Sequence, residues 1–114
     1  MHKFFNSLMS WSMHTFGPKR ARDGVGPLRH LVLEAKEAES EAMKISSDRR
    51  ELLEELADCQ FLVFDAVWRS GFDLDDLEQM LWYKLEKNRR RTWPDWRKVA
   101  AGEPVLHEKV GGTD

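Results

Sequence analysis

The segment 52–70 constrains this chain more than any other. Wound at about 3.6 residues per turn, its apolar side chains cover most of the helix circumference. They are Leu52, Leu53, Leu56, Ala57, Phe61, Leu62, Val63, Phe64, Ala66, Val67 and Trp68. A helix that is apolar nearly all round has to be enclosed by other elements, which predicts a place in the middle of a helical bundle. Glu51, Glu55, Asp58, Asp65 and Arg69 share the one narrow stripe left over. An unpaired carboxylate is costly beside a dry interior, so this stripe needs cationic partners or a bound cation. For a single buried acid, structural ion pairs with Arg69 and nearby lysines would suffice.

A second predicted helix shifts the reading toward a bound cation. Pro27 suits a first helical turn, and the helix is expected over residues 27–45. Leu28, Leu31, Val32, Ala35, Glu39 and Ala42 fall on one side, with His30, Glu34, Glu37 and Glu41 on the adjoining side. Alone, this is a solvated acidic face, and His30 is a structural histidine. Packed antiparallel on the segment 52–70, the pairs Glu34-x-x-Glu37 and Glu55-x-x-Asp58 converge, because residues three apart share a helix face. Like charges at close range oppose one another's ionisation, and a divalent cation resolves that conflict. All-oxygen ligation suits Mg²⁺ or Mn²⁺ rather than zinc. Glu34, Glu37, Glu55 and Asp58 are therefore the candidate metal ligands.

The remaining segments also read as helices and loops, so the class is all-α. Residues 3–16 predict a short aromatic-rich helix with Phe4, Phe5, Trp11 and Phe16, ended by Gly17-Pro18. A basic, glycine-punctuated loop follows through Arg20, Arg22, Gly24 and Gly26. Ser46-Ser47-Asp48 reads as a turn, with Asp48 and Glu51 forming a capping box. Gly71 is a natural stop for the third helix. Asp73 is expected to cap a fourth helix reaching about residue 91, with Leu74, Leu77 and Leu81 as its buried stripe. Lys84, Asn88 and Arg91 continue that stripe. Basic residues on an inward face need an anion, and a triphosphate held against a metal would satisfy both. Arg89 and Arg90 point elsewhere and read as surface charge. Trp93-Pro94-Asp95-Trp96 breaks the helix, and both tryptophans are expected to cap the end of the bundle. The organisation is an N-terminal helix and loop (1–26), a catalytic helical domain (27–98) and a loose tail (99–114).

A chain of 114 residues makes one small domain, and short helical chains often complete their core by oligomerising. The net charge of -2 names no partner. The basic stretch 84–98, interleaved with Trp93 and Trp96, also fits a helical nucleic-acid-binding module. The inward placement of Lys84 and Arg91 speaks against nucleic acid, as does the acidic centre. The single cysteine, Cys59, excludes an intrachain disulfide and fits a reducing cytosol. The longest apolar run, 61–68, is interrupted by Asp65 and is too short to span a membrane. Met1-His2-Lys3-Phe4-Phe5 gives way to Asn6 and Ser7, which leaves no export signal. The expected location is the cytoplasm, or the host cytoplasm for a phage-encoded chain.

In order along the chain, these residues resemble the MazG-like, all-α nucleoside triphosphate pyrophosphohydrolases. The superfamily pattern of an ExxE pair, a spacer, an ExxD pair and a later lysine-asparagine-arginine segment is matched by Glu34/Glu37, Glu55/Asp58 and Lys84-Leu85-Glu86-Lys87-Asn88-Arg89-Arg90-Arg91. A narrower resemblance is to the phage and bacterial dATP/dGTP diphosphohydrolases. It rests on Trp11-Ser12-Met13-His14-Thr15-Phe16-Gly17-Pro18, on Ala66-Val67-Trp68-Arg69-Ser70-Gly71, and on Arg91-Thr92-Trp93-Pro94-Asp95-Trp96-Arg97. It spans roughly residues 11–98. The segment 39–53 is longer and more charged than that group implies, and Ala66-Val67 replace an expected glycine-alanine pair.

The resemblance implies metal-dependent hydrolysis of a deoxypurine triphosphate, dGTP or dATP, to the monophosphate and pyrophosphate, controlling nucleotide pools. It implies Mg²⁺ or Mn²⁺ held by Glu34, Glu37, Glu55 and Asp58, with Glu54 or a metal-bound carboxylate such as Glu55 as general base. Lys84, Lys87, Asn88 and Arg91 would bind the phosphates, Lys84 also offsetting transition-state charge. Trp11 or Phe16 would stack on the base or pack in the core, and His30 completes the substrate-binding candidates. A homo-oligomer, dimer or tetramer, is implied. The same fold would serve a pyrimidine triphosphatase or a phosphoribosyl-ATP pyrophosphatase, and a non-catalytic helical oligomerisation protein could retain it.

Overall fold

A computed structural model describes residues 1–45 and 49–109. These residues form helices α1 (His2–Phe16), α2 (Val25–Met43), α3 (Arg49–Arg69) and α4 (Leu74–Arg90), and a short 3-10 helix, Trp96–Lys98. No strand occurs among the described residues, so the all-α class holds. The expected turn at Ser46-Ser47-Asp48, and with it the Asp48 half of the capping box, lies outside the described residues. The chain divides into two compact units, Met1–Leu77 and Glu78–Asp114, with the division inside α4.

In the first unit α3 is the element on which both α1 and α2 pack. Gly24, just before α2, abuts the far end of α3. A Cβ placed there would lie 2.7 Å from Ser70 Oγ and 3.2 Å from the Ala66 carbonyl oxygen. At the other end of α2, Lys44 feels the charges of Glu51 and Glu55 from the beginning of α3. The two helices therefore run antiparallel, as the carboxylate argument required. The core gathers Phe5 and Leu8 from α1, Phe64 and Trp68 from α3, and Leu74 from α4. Phe5 meets Phe64 edge-on, with ring centroids 5.5 Å apart, an arrangement that adds to simple area burial.

The stop at Gly71 and the cap at Asp73 are as the sequence predicts. Gly71 adopts φ 96°, the left-handed conformation that suits glycine. There the Gly71 N–H donates to the Trp68 carbonyl and the Phe72 N–H to the Val67 carbonyl, both at 3.1 Å. Asp73 and Asp76 cap α4 reciprocally: the Asp76 N–H donates to Asp73 Oδ1 over 2.8 Å, and the Asp73 N–H to Asp76 Oδ2 over 3.0 Å.

The apolar faces differ from expectation in three places. Only the second half of α3 is enclosed: Leu62, Phe64, Ala66 and Trp68 are buried, whereas Leu53 and Leu56 are exposed. On α2 the inward stripe is Leu31, Glu34, Ala38 and Glu41, at helical spacing, while Leu28 and Val32 face outward. On α4 Leu74 is buried, but Leu81 is exposed. The cause is the number of elements. Two helices cannot cover the whole circumference of a third along its full length, so α2 turns its acidic side to α3 and leaves Leu28, Val32 and Leu33 free.

In the second unit Trp93 caps the end of α4, its indole N–H donating to the Asn88 carbonyl over 2.8 Å. Trp96, expected to do the same, is exposed, with the Arg97 guanidinium 5.8 Å from its ring centroid. The segment read as a loose tail returns to the chain: the Glu108 N–H donates to the Thr92 carbonyl at 2.7 Å, and His107 meets the Trp93 ring.

Candidate active site

The antiparallel packing of α2 on α3 brings Glu34, Glu37 and Glu55 together. One carboxylate oxygen from each lies within 4.8 Å of the others. Glu34 and Glu55 are half-buried and Glu37 is exposed. Burial, followed by the charges of Glu37, Glu34, Asp58 and Glu41, raises the Glu55 pKa above its ordinary value. Glu37 is raised first by the Glu34 charge and by a hydrogen bond between the two carboxyls, with burial and Asp58 adding. His30 opposes that shift, its Nε2 lying 3.1 Å from Glu34 Oε1. One oxygen of the cluster, Glu55 Oε2, is buried and meets no hydrogen-bond donor among the described residues. A buried acceptor without a partner is unfavourable, and a cation is the partner that this all-acceptor set suits. Three hard oxygen donors fit Mg²⁺ or Mn²⁺.

Asp58, the fourth expected ligand, is exposed and stands outside the 4.8 Å group. Its charge nevertheless reaches Glu37, Glu55 and Cys59. Glu54 is exposed and is not a member of the cluster. Trp11 and Phe16 meet edge-on at 5.2 Å, and Trp11 also meets Phe61 at 5.4 Å. Both remain partly open to solvent, so they pack on the unit and still present surface to a ligand.

The lower part of the α3 stripe has another destiny. Asp65 Oδ1 accepts from Ser12 Oγ at 2.5 Å, from Trp68 Nε1 at 2.7 Å and from Arg69 Nε at 3.1 Å. Arg69 also donates to the carbonyls of Ser12, Gly17 and Arg22, which ties α1 and the following loop to α3. The structural ion pair is thus the correct account of Asp65. Beside this network a cavity of about 690 Å³ opens, lined among others by Phe16, Lys19, Arg20, Arg22 and His30. Of these, sequence reasoning singled out Phe16 and His30; the basic loop was visible as a composition feature and was given no role.

In the second unit Lys84, Lys87, Asn88 and Arg91 are all half-buried. Asn88 Oδ1 accepts from Arg91 Nη1 over 2.7 Å, so these two side chains act as one polar group at the end of α4. Glu86 pairs with Arg89, which makes Arg89 an ordinary surface charge, as the sequence suggests.

An all-α fold with carboxylates clustered between two facing helices agrees with the MazG-like class of nucleotide pyrophosphohydrolases. A family model of dATP/dGTP pyrophosphohydrolases matches residues 4–110, nearly the whole chain, and the chain belongs to that family. It is therefore an enzyme that acts on nucleotides. No curated protein and no solved structure matches the chain. No helix among the described residues is long and apolar enough to cross a membrane.

Proposed function

We propose that the protein hydrolyses dATP and dGTP to the monophosphate and pyrophosphate with the help of Mg²⁺ or Mn²⁺ held by Glu34, Glu37 and Glu55, with Asp58 completing the set. The observation that carries this reading is Glu55 Oε2, a buried carboxylate oxygen without a donor among the described residues, inside a cluster of acids that repel one another. Glu34, Glu37 and Glu55 would hold the divalent cation, which would offset their charge and supply Lewis-acid chemistry toward the phosphates and water.

The chain's own residues supply the rest. Glu54 adjoins Glu55 in sequence, stays outside the ligand group and is solvent-exposed, which suits a general base that must pass its proton to water. Lys84, Lys87, Asn88 and Arg91 bind phosphate oxygens, Lys84 offsetting charge as it develops. The Asn88–Arg91 hydrogen bond fixes that fork before substrate arrives. His30 orients Glu34 through its hydrogen bond, and Trp11 or Phe16 offers the aromatic surface for a purine. Leu28, Val32, Leu53 and Leu56, exposed on α2 and α3, support assembly as a dimer or tetramer.

Competition among dATP, dGTP, dUTP and dCTP tests the substrate assignment. Preferential turnover of the two purine nucleotides supports it. Preferential turnover of a pyrimidine nucleotide would leave the fold and centre intact and discard the base preference.

A further inference from the structure

The acidic cluster and the cavity beside Arg69 follow one another along α2 and α3. On α2, His30 lines the cavity and lies one turn before Glu34, to which it is hydrogen-bonded. On α3, Leu62 lines the cavity seven residues beyond Glu55, about 10 Å along the helix axis. The charge therefore changes sign along these two helices, acidic at Glu34, Glu37 and Glu55 and basic where Lys19, Arg20 and Arg22 line the cavity.

The basic end carries uncommitted charge. Lys19, Arg20 and Arg22 line the cavity, and none of them has an ion-pair partner among the described residues. The carboxylates lining the same cavity are already engaged. Asp65 serves Ser12, Trp68 and Arg69, and Asp23 Oδ1 accepts from the Val25 N–H at the start of α2. Gly26 and Pro27, in the first turn of α2, complete this side, where the positive end of the helix dipole adds to the cationic field. The loop is held in place rather than left free, because Arg69 binds the carbonyls of Gly17 and Arg22 at its two ends. A pre-positioned set of unpaired cations is the arrangement that recognises a compact, multiply charged anion.

We propose that this cavity is an anion subsite for the pyrophosphate portion of the nucleotide, contacted by Lys19, Arg20 and Arg22 and linked to the metal centre through the hydrogen bond of His30 to Glu34. The inference rests on the pyrophosphohydrolase reading. It gives the basic loop the task of gripping the two phosphates that end up as inorganic product. Phe16 and Thr15, which also line the cavity, offer the side toward the nucleoside.

The test is binding of inorganic pyrophosphate with Mg²⁺, followed by calorimetry, on the wild-type chain and on the Arg20→Gln/Arg22→Gln double variant. Arg29→Gln, an exposed α2 cation that does not line the cavity, controls for net charge. The expected result is a loss of pyrophosphate affinity of about tenfold or more in the double variant, the scale of one or two charge-assisted hydrogen bonds. Arg29→Gln should bind as the wild type does, and the deoxynucleoside monophosphate should bind all three proteins alike. Circular dichroism checks the fold; if the double variant loses helix, Lys19→Gln and Arg20→Gln as single variants take its place.

Unchanged pyrophosphate affinity would overturn the subsite. So would an equal loss in Arg29→Gln, or a loss of monophosphate binding with pyrophosphate unaffected, which would assign the cavity to the nucleoside. A wild-type chain that binds no pyrophosphate would also overturn it. Failure of the enzymatic reading looks different: it appears as absence of dATP and dGTP turnover by the wild type, whatever the pyrophosphate affinities.

Discussion

Arg69 donates from Nε to Asp65 Oδ1 over 3.1 Å, with only 1% and 2% of the two side chains open to solvent. The pair does more than neutralise itself. Through the carbonyls of Ser12, Gly17 and Arg22 the same guanidinium fastens α1 and the basic loop onto α3. Removing one partner leaves an uncompensated buried charge, so Arg69→Met is expected to cost about 3–5 kcal/mol, read from chemical denaturation. Asp65→Asn should also destabilise while leaving the Mg²⁺ affinity of the folded protein unchanged. A loss of metal affinity in Asp65→Asn would move Asp65 into the metal centre.

Glu55→Gln separates the two consequences of a crowded carboxylate. Burial and four acidic neighbours disfavour its charge in the metal-free protein. The variant should therefore melt at or above the wild-type temperature without metal, yet lose both the stabilisation by Mg²⁺ and the turnover. Thermal melts with and without Mg²⁺ decide this. A metal-free variant that melts well below the wild type would mean that Glu55 makes a favourable contact instead.

The pH dependence follows from the same shifts. Glu37 and Glu55 hold their protons to higher pH when folded than their ordinary value of 4.5. In the window above 4.5 the folded chain thus binds more protons than the unfolded one, and these two groups make stability fall as pH rises. Their unfavourable contribution is complete once pH exceeds their folded values. Saturating Mg²⁺ should flatten this slope, because the cation takes the place of the protons. Melting temperatures across pH 4.5 to about 7 in EDTA and in Mg²⁺ provide the check.

Cys59 offers a reporter beside the site. Burial, then the charges of Glu34, Asp58 and Glu55, raises its pKa above the ordinary 9.0. The midpoint of its alkylation against pH should lie above 9.0 without metal and move down when Mg²⁺ neutralises those carboxylates. A midpoint indifferent to Mg²⁺ would place the cation elsewhere.

Glu54→Gln is expected to keep the metal-induced stabilisation and lower kcat by about 10²–10⁴, the scale of a lost general base. Single-turnover kinetics at saturating Mg²⁺ distinguish this from weakened substrate binding. Full activity would hand the proton to a carboxylate of the cluster.

Much of this was legible in the sequence because it depends on local rules. The helical spacing of Glu34 and Glu37 places that pair on one face, and Gly71 and Asp73 mark a stop and a start that need only their own backbone neighbours. What depended on packing was not legible. The sequence does not say that Asp65, on the same stripe as Glu55, meets Ser12 from α1 and so becomes structural. Nor does helical periodicity say which of two apolar faces of α2 is covered, so Leu28 and Val32 read as core and are exposed. The basic cavity was missed because its cations come from a loop, where no periodicity indicates a shared direction.

The most direct test of the central claim is product analysis with dATP and dGTP, for the wild type and for Glu55→Gln, in Mg²⁺ and in EDTA. The account predicts the deoxynucleoside monophosphate and pyrophosphate from the wild type in Mg²⁺, and neither in EDTA nor from Glu55→Gln. Wild-type turnover that survives EDTA, or full activity of Glu55→Gln, would contradict a metal centre at Glu34, Glu37 and Glu55.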